Sequence, residues 1–263
     1  MAKPKRWSPK PVKNGIWELE FSSWKYFHDY VRQEMLDYSH YVWRGQRDAD
    51  WKLESSLDRI LRGKLPNLRA PLAQSHLNSF KLAVRGRRGA NPAAIEVENE
   101  WWALGQHHGL ATPLLDWTES AFVALYFAFE KQARPTSGKR AVWALTGGQE
   151  KNHEIRAAHR SAGKEGKPPI LEFIRPHQND NARLVNQAGL FTRAPLGQAV
   201  DDWIDLNHQG ATRAPLLKLV FPDVDRAECL RTLTKMNINH ITLFPDLYGA
   251  GQHCNKMLQI DKY

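Results

Sequence analysis

The stretch Trp101 to Glu130, WWALGQHHGLATPLLDWTESAFVALYFAFE, gathers the side chains best suited to chemistry. His107, His108 and Asp116 supply imidazole and carboxylate, a donor set that suits zinc or iron. Adjacent histidines point in different directions on a regular element, and a third well-spaced histidine is missing, so no metal is expected. Ser120 falls at a helix start and not on a strained turn, which argues against a serine nucleophile. A polar set of Gln106, His107, His108, Thr112, Asp116 and Thr118 between two apolar segments is costly unless it is hydrogen-bonded or used. The plain alternative to a site is a buried network that fixes the two central helices. Arg44 follows the most apolar part of a short strand and is followed by Gly45 and Gln46. An arginine emerging there can fork onto a phosphate or carboxylate, or pair with a core acid.

The elements that must position these groups follow from periodicity. Ala121 to Phe129 is apolar nearly all round and predicts a buried helix, capped by Asp116 or Thr118. Trp101, Trp102 and Leu104 belong to a preceding helix that Gly109 ends. GLATPLLDW is then a short connection or strand pinned between them. Trp24, Phe27, Tyr30, Val31 and Met35 recur at helical spacing, and Tyr41 to Gln46 reads as a strand. Ser55 to Leu61 and Leu72 to Val84 are amphipathic. Strands are expected at 141–145, 170–174, 182–192, 216–221 and 241–244, the fourth of these containing nothing polar but Lys218. Residues 150–169 read as a surface insertion with a helical turn at most. Asp225 and Glu228 resemble a capping box, and Pro245 opens a last helix. Strands scattered among helices predict a mixed α+β domain. It covers residues 21–263, after a basic, proline-containing arm over 1–20 that could touch phosphates.

With 37 Lys and Arg against 28 Asp and Glu, the net charge of +9 makes an anionic partner such as nucleic acid a candidate, or else gives a basic solvated surface. Arg85, Arg87 and Arg88 cluster with Gly86 and Gly89, and Trp7, Trp43, Trp51 and Trp117 are candidate stacking surfaces for a non-catalytic nucleic-acid-binding module. The first residues lack the apolar core of a signal peptide and only Cys229 and Cys254 are present, which predicts a cytoplasmic protein without a disulfide. The longest apolar run, Ala121 to Phe129, has nine residues where a membrane span needs about 20. Nucleotide-binding glycine loops, HExxH, paired CxxC and GxSxG are absent.

WRGQ at Trp43 to Gln46, GQHHGLATPLLDWTESAFVALYFAF at Gly105 to Phe129, ARLVNQAGLFT at Ala182 to Thr192 and NHITLFPDLYG at Asn239 to Gly249 resemble the four ordered blocks of the FRG domain. Trp43 stands where that family usually has phenylalanine. The order of features is similar to that of ADP-ribosyltransferases, which implies a single α+β domain with a mixed or split sheet, flanking helices, and NAD as substrate. In that resemblance Arg44, with Gly45 and Gln46, holds the pyrophosphate or ribose of NAD. Thr112, Trp117 and Thr118 shape the nicotinamide pocket, and Gln187 stands where the transferases often carry a catalytic glutamate. Gln187 cannot supply negative charge, so Asp116 or Glu119 must, while His107 or His108 is the general base. The resemblance implies an NAD-dependent ADP-ribosyltransferase or NAD glycohydrolase acting as a toxin or phage-defence effector, with a nucleic-acid or protein acceptor and an antitoxin partner.

Overall fold

The structure, a computed structural model, describes residues 5–176 and 182–263. Its strands are β1 (Trp7–Pro9), β2 (Ile16–Phe21), β3 (Val42–Gln46), β4 (Leu115–Thr118), β5 (Lys139–Leu145), β6 (Glu172–Ile174), β7 (Gly189–Arg193) and β8 (Leu216–Pro222). The helices are α1 (Phe27–Tyr30), α2 (Ser56–Leu61), α3 (Pro66–Ala83), α4 (Glu98–His107), α5 (Ala121–Phe129), α6 (Gln149–Ser161), α7 (Ala182–Asn186), α8 (Val200–Asn207), α9 (Arg226–Lys235), α10 (His240–Leu243) and α11 (Leu247–Gln259). One open sheet takes the strands in the order β1-β2-β8-β5-β3-β4-β7-β6. Among the described residues only β2 and β8 run parallel. The expected mixed α+β architecture is therefore present.

Helices cover both faces, and β5 shows why. Val142 and Ala144 enter the core that holds α5, whereas Ala141, Trp143 and Leu145 enter the core that holds Trp203 and Ile204 of α8. A strand buried on both sides must be apolar at every position, as this one is after Arg140. A third cluster, with Leu57, Leu77, Trp102 and Leu114, lies under α2, α3 and α4.

The sheet is weakest between β3 and β4, which share the single pair Trp43↔Thr118, while β3 and β5 pair over five positions from Val42 to Gln46. Beyond that pair the two strands part. Helix α5 lies on β3 at this point, and a Cβ added to Gly45 would fall 1.9 Å from the Ala124 carbonyl oxygen and 2.4 Å from the Ala128 nitrogen. Ala124 and Ala128 are one helical turn apart and fully buried, so the alanines of the apolar run exist to let α5 reach the strand backbone. Ser120 caps α5 by accepting from the Val123 amide, a role the sequence suggested for Asp116 or Thr118. Its far end is satisfied by cations. Arg140 donates to the carbonyls of Ala128 and Lys131, Arg226 to those of Phe129 and Glu130, and Lys256 to that of Glu130.

Several local expectations fail. Residues 182–192 split into α7 and β7, with Ala188 at φ 44° between them, because the helical pattern of ARLVN outweighs the β-branched residues that suggested a strand. Residues 240–243 form α10, closed by an Asn239–Thr242 capping box that overrides the strand propensity of Ile241 and Thr242. Residues 149–161 form a full helix, α6, held by Asn152 to both backbone groups of Leu171. Asp225 makes no side-chain cap and sits at φ 54°. Trp7–Pro9 and Ile16–Phe21, read as part of a loose arm, are strands, with Trp7 packed against Phe21 and Tyr30.

Candidate functional site

Where β3 and β4 part, a cleft of about 880 Å³ opens, walled by Trp43, Arg44, Gly45 and Gln46 from β3, Asp116, Trp117 and Thr118 from β4, and Gln187 and Phe244. Strand alternation puts Arg44 and Gln46 on the face opposite α5, and Gly45 toward it. The Arg44 side chain replaces the missing ladder bond: its Nη1 donates to the Asp116 carbonyl at 2.7 Å and lies 3.8 Å from the Asp116 carboxylate. Its Nε is buried and has no partner. Burial draws the Arg44 pKa below its ordinary value, with Asp116 opposing and Arg59 adding to the effect. Asp116 is 63% exposed and accepts from Gln106 Nε2 at 2.7 Å. The buried carboxylate partner weighed for Arg44 is thus not Asp116.

Other residues singled out in the sequence are occupied with structure. Gln46 donates to the Lys52 carbonyl and accepts from the Trp143 indole, tying the loop after β3 to β5. Gly45 borders the cleft, but its small size is demanded by α5. Thr112, fully buried and outside the cleft lining, bonds Gln106 and Ser56. The Trp117 indole donates to Thr192, and Thr118 donates to the Gln187 carbonyl, which holds the turn before β7 against β4. Gln187 reaches the cleft, with its amide donating to the Leu243 carbonyl at 3.0 Å.

His107, the last residue of α4, and His108, its C-cap, are not among the residues that line the cleft. Burial, with His108 beside it and Arg183 near, holds the His107 pKa below the ordinary imidazole value, against the pull of Asp246. Glu119 pairs with Arg175. Among the described residues no three His, Cys, Asp or Glu side chains cluster as metal ligands would, and no helix is long and apolar enough to cross a membrane. Of the tryptophans considered as stacking surfaces, Trp43 and Trp117 are core, Trp7 is packed, and Trp51 is 46% exposed on the cleft. Arg87 and Arg88 donate to their own loop at Ala83 and Ala93, and Arg88 lies over Trp101.

Several groups lining the cleft escaped the sequence reading, Arg47 and Glu130 among them. Arg47 lies over the Trp51 ring at 4.7 Å, with its Nε buried and unpartnered. Glu130, directly after the apolar run, borders the cleft with its carboxylate 3.3 Å from Lys131, 3.4 Å from Lys256 and 3.7 Å from His240. A single charge closing nine apolar residues was the available signal. Tyr126 and His240 complete the cluster, bonded at 3.1 Å. Burial pushes the Tyr126 hydroxyl pKa up and the Lys256 ammonium pKa down.

Burial, reinforced by Lys256 and opposed by Glu130, holds the His240 pKa to about 4, against 6.5 for a free imidazole. Between those values the unfolded chain binds a proton that the folded chain refuses, so stability falls as pH falls through the window and levels off below it. The loss attributable to His240 is up to ~3 kcal/mol. His240→Gln, which keeps an acceptor for Tyr126, is expected to shrink the change in unfolding free energy between these pH values. Denaturant titrations giving equal pH slopes for variant and wild type would show that His240 does not carry the effect.

Fold and site together define a mixed-sheet α+β domain with a cationic, aromatic-lined cleft at a split in its sheet. Residues 39–137 match the FRG domain model, which supports the FRG resemblance of this stretch. The match takes in β3, β4 and α5, and hence most of the cleft, while the blocks at 182–192 and 239–249 lie beyond it. No curated protein and no solved structure matches the chain.

Proposed function

We propose that the cleft binds NAD and that the protein, with an ADP-ribosyltransferase-like fold, transfers its ADP-ribosyl group to an acceptor or to water. The observation that carries this reading is one cleft joining two arginines with unpartnered buried Nε groups, exposed and half-buried aromatic rings, and the carboxylates of Asp50, Glu54, Asp116 and Glu130. Its volume of about 880 Å³ falls within the roughly 300–1,000 Å³ of small-molecule sites. Arg44 holds the pyrophosphate. Glu130 takes the electrostatic role that Gln187 cannot fill. The bond between nicotinamide nitrogen and ribosyl carbon breaks with its electron pair going to nitrogen. Glu130 stabilises the cationic carbon, and the acceptor's lone pair closes on it while Asp116, exposed at the mouth, takes the acceptor's proton. Nucleic acid or protein is the acceptor class, and the setting is that of a toxin or phage-defence effector with an antitoxin partner.

Incubation with NAD and either RNA, DNA, protein or buffer alone, read by mass, is expected to show nicotinamide release. No release under any condition sinks the enzymatic reading and leaves the binding module. Arg44→Lys keeps charge but loses the planar fork, so NAD turnover should drop by about an order of magnitude or more with thermal stability nearly unchanged. Equal turnover in the two proteins would remove Arg44 from the site.

A further inference from the structure

The loop between β3 and α2 is held at almost every residue. Asp48 accepts from the amides of Asp50 at 3.0 Å, Thr136 at 2.6 Å and Ser137 at 3.3 Å. The Ala49 amide donates to the Lys139 carbonyl, Gln46 to the Lys52 carbonyl, and the Leu53 amide to Asp201. Lys52 is paired with Asp201 and Asp202. A loop with so many anchors nonetheless leaves the Trp51 ring 46% exposed at the cleft, in a chain whose other cleft tryptophans, Trp43 and Trp117, are 5% and 3% exposed. Local flexibility does not explain that exposure.

Arg47 lies over this ring, and its buried Nε has no acceptor in the protein. A planar ligand stacked on Trp51 beside Arg47 meets the guanidinium cation. The nicotinamide ring of NAD is itself cationic and is repelled by the guanidinium. Adenine is neutral, carries ring nitrogens that accept hydrogen bonds, and offers a broad π face to the indole. We infer that Trp51 and Arg47 form an adenine shelf, which fixes the orientation of a dinucleotide in the cleft: adenine on Trp51, with the nicotinamide ribose toward the carboxylates. This inference rests on the nucleotide reading of the cleft given above.

The test is calorimetric binding of AMP, nicotinamide mononucleotide and NAD to wild type, Trp51→Phe and Trp51→Ala, with thermal melts as a check on folding. Loss of a stacking aromatic should weaken AMP and NAD by on the order of tenfold to a hundredfold in Trp51→Ala. Trp51→Phe should retain most of the affinity, and nicotinamide mononucleotide should be indifferent to both changes. AMP that fails to bind wild type, AMP that binds Trp51→Ala unchanged, or equal weakening of both mononucleotides would overturn the shelf. If AMP depends on Trp51 but NAD is never consumed, the shelf stands and the transferase reading fails. If NAD is consumed while AMP ignores Trp51, the transferase reading stands and the shelf fails.

Discussion

Gly45→Ala is expected to lose a large part of its stability, with a fall of about 3 kcal/mol or more and a melting midpoint lower by roughly 6–12 °C. The added methyl would lie 1.9 Å from one backbone atom of α5 and 2.4 Å from another, and neither can rotate away. The helix must move as a body. It carries Ala124, Tyr126, Ala128 and Phe129, all with no exposed surface, and its end is held by Arg140 and Arg226. Against a total of about 5–15 kcal/mol for a typical domain, such a displacement is a large fraction of what keeps the chain folded. Gly63→Ala is the control, since a Cβ there meets nothing within 4 Å, and it should melt like wild type. Were Gly45→Ala to unfold at the wild-type denaturant concentration, the close approach of α5 to β3 would be wrong.

Glu130→Gln should bind NAD and turn it over on the order of 10²- to 10³-fold more slowly, the magnitude expected when a charged stabiliser of a transition state is removed. The substitution also strips Lys256 of its counter-charge at 3.4 Å, in a site where both side chains are less than a tenth exposed. An uncompensated buried ammonium costs about 3–5 kcal/mol, so the single variant is expected to be less stable as well. Glu130→Gln combined with Lys256→Met removes both charges and should recover stability without recovering turnover. Asp116→Asn, at an exposed carboxylate, should lose only about tenfold. If the double variant regains both stability and turnover, Glu130 is a helix-end partner of Lys256 and the chemistry lies elsewhere.

These expectations separate what the residues announce from what their packing decides. Periodicity alone located α5, because nine consecutive apolar residues admit only a buried helix, and it located β3, β5 and β8 through short β-rich runs. The link between Arg44, Asp116 and Gln187 was legible through ordered blocks, and the structure brings all three to one cleft. Propensity failed at 182–186 and 240–243, where helix caps and packing outweigh β-branched residues in segments too short to show a period. The sequence could not show that His107 and His108 end a helix outside the cleft lining, since direction along an element depends on where that element docks. Nor could it show that Thr112, Thr118 and Gln46 are bound to the scaffold, because their partners Ser56, the Gln187 carbonyl and Trp143 are distant in the chain. Composition and local spacing determined an α+β chain with a central buried helix and an arginine at a strand end. The split between β3 and β4, the cleft it opens, and the arrival there of Glu130, Arg47 and Trp51 came only from the tertiary structure, because they depend on contacts between segments far apart in the chain.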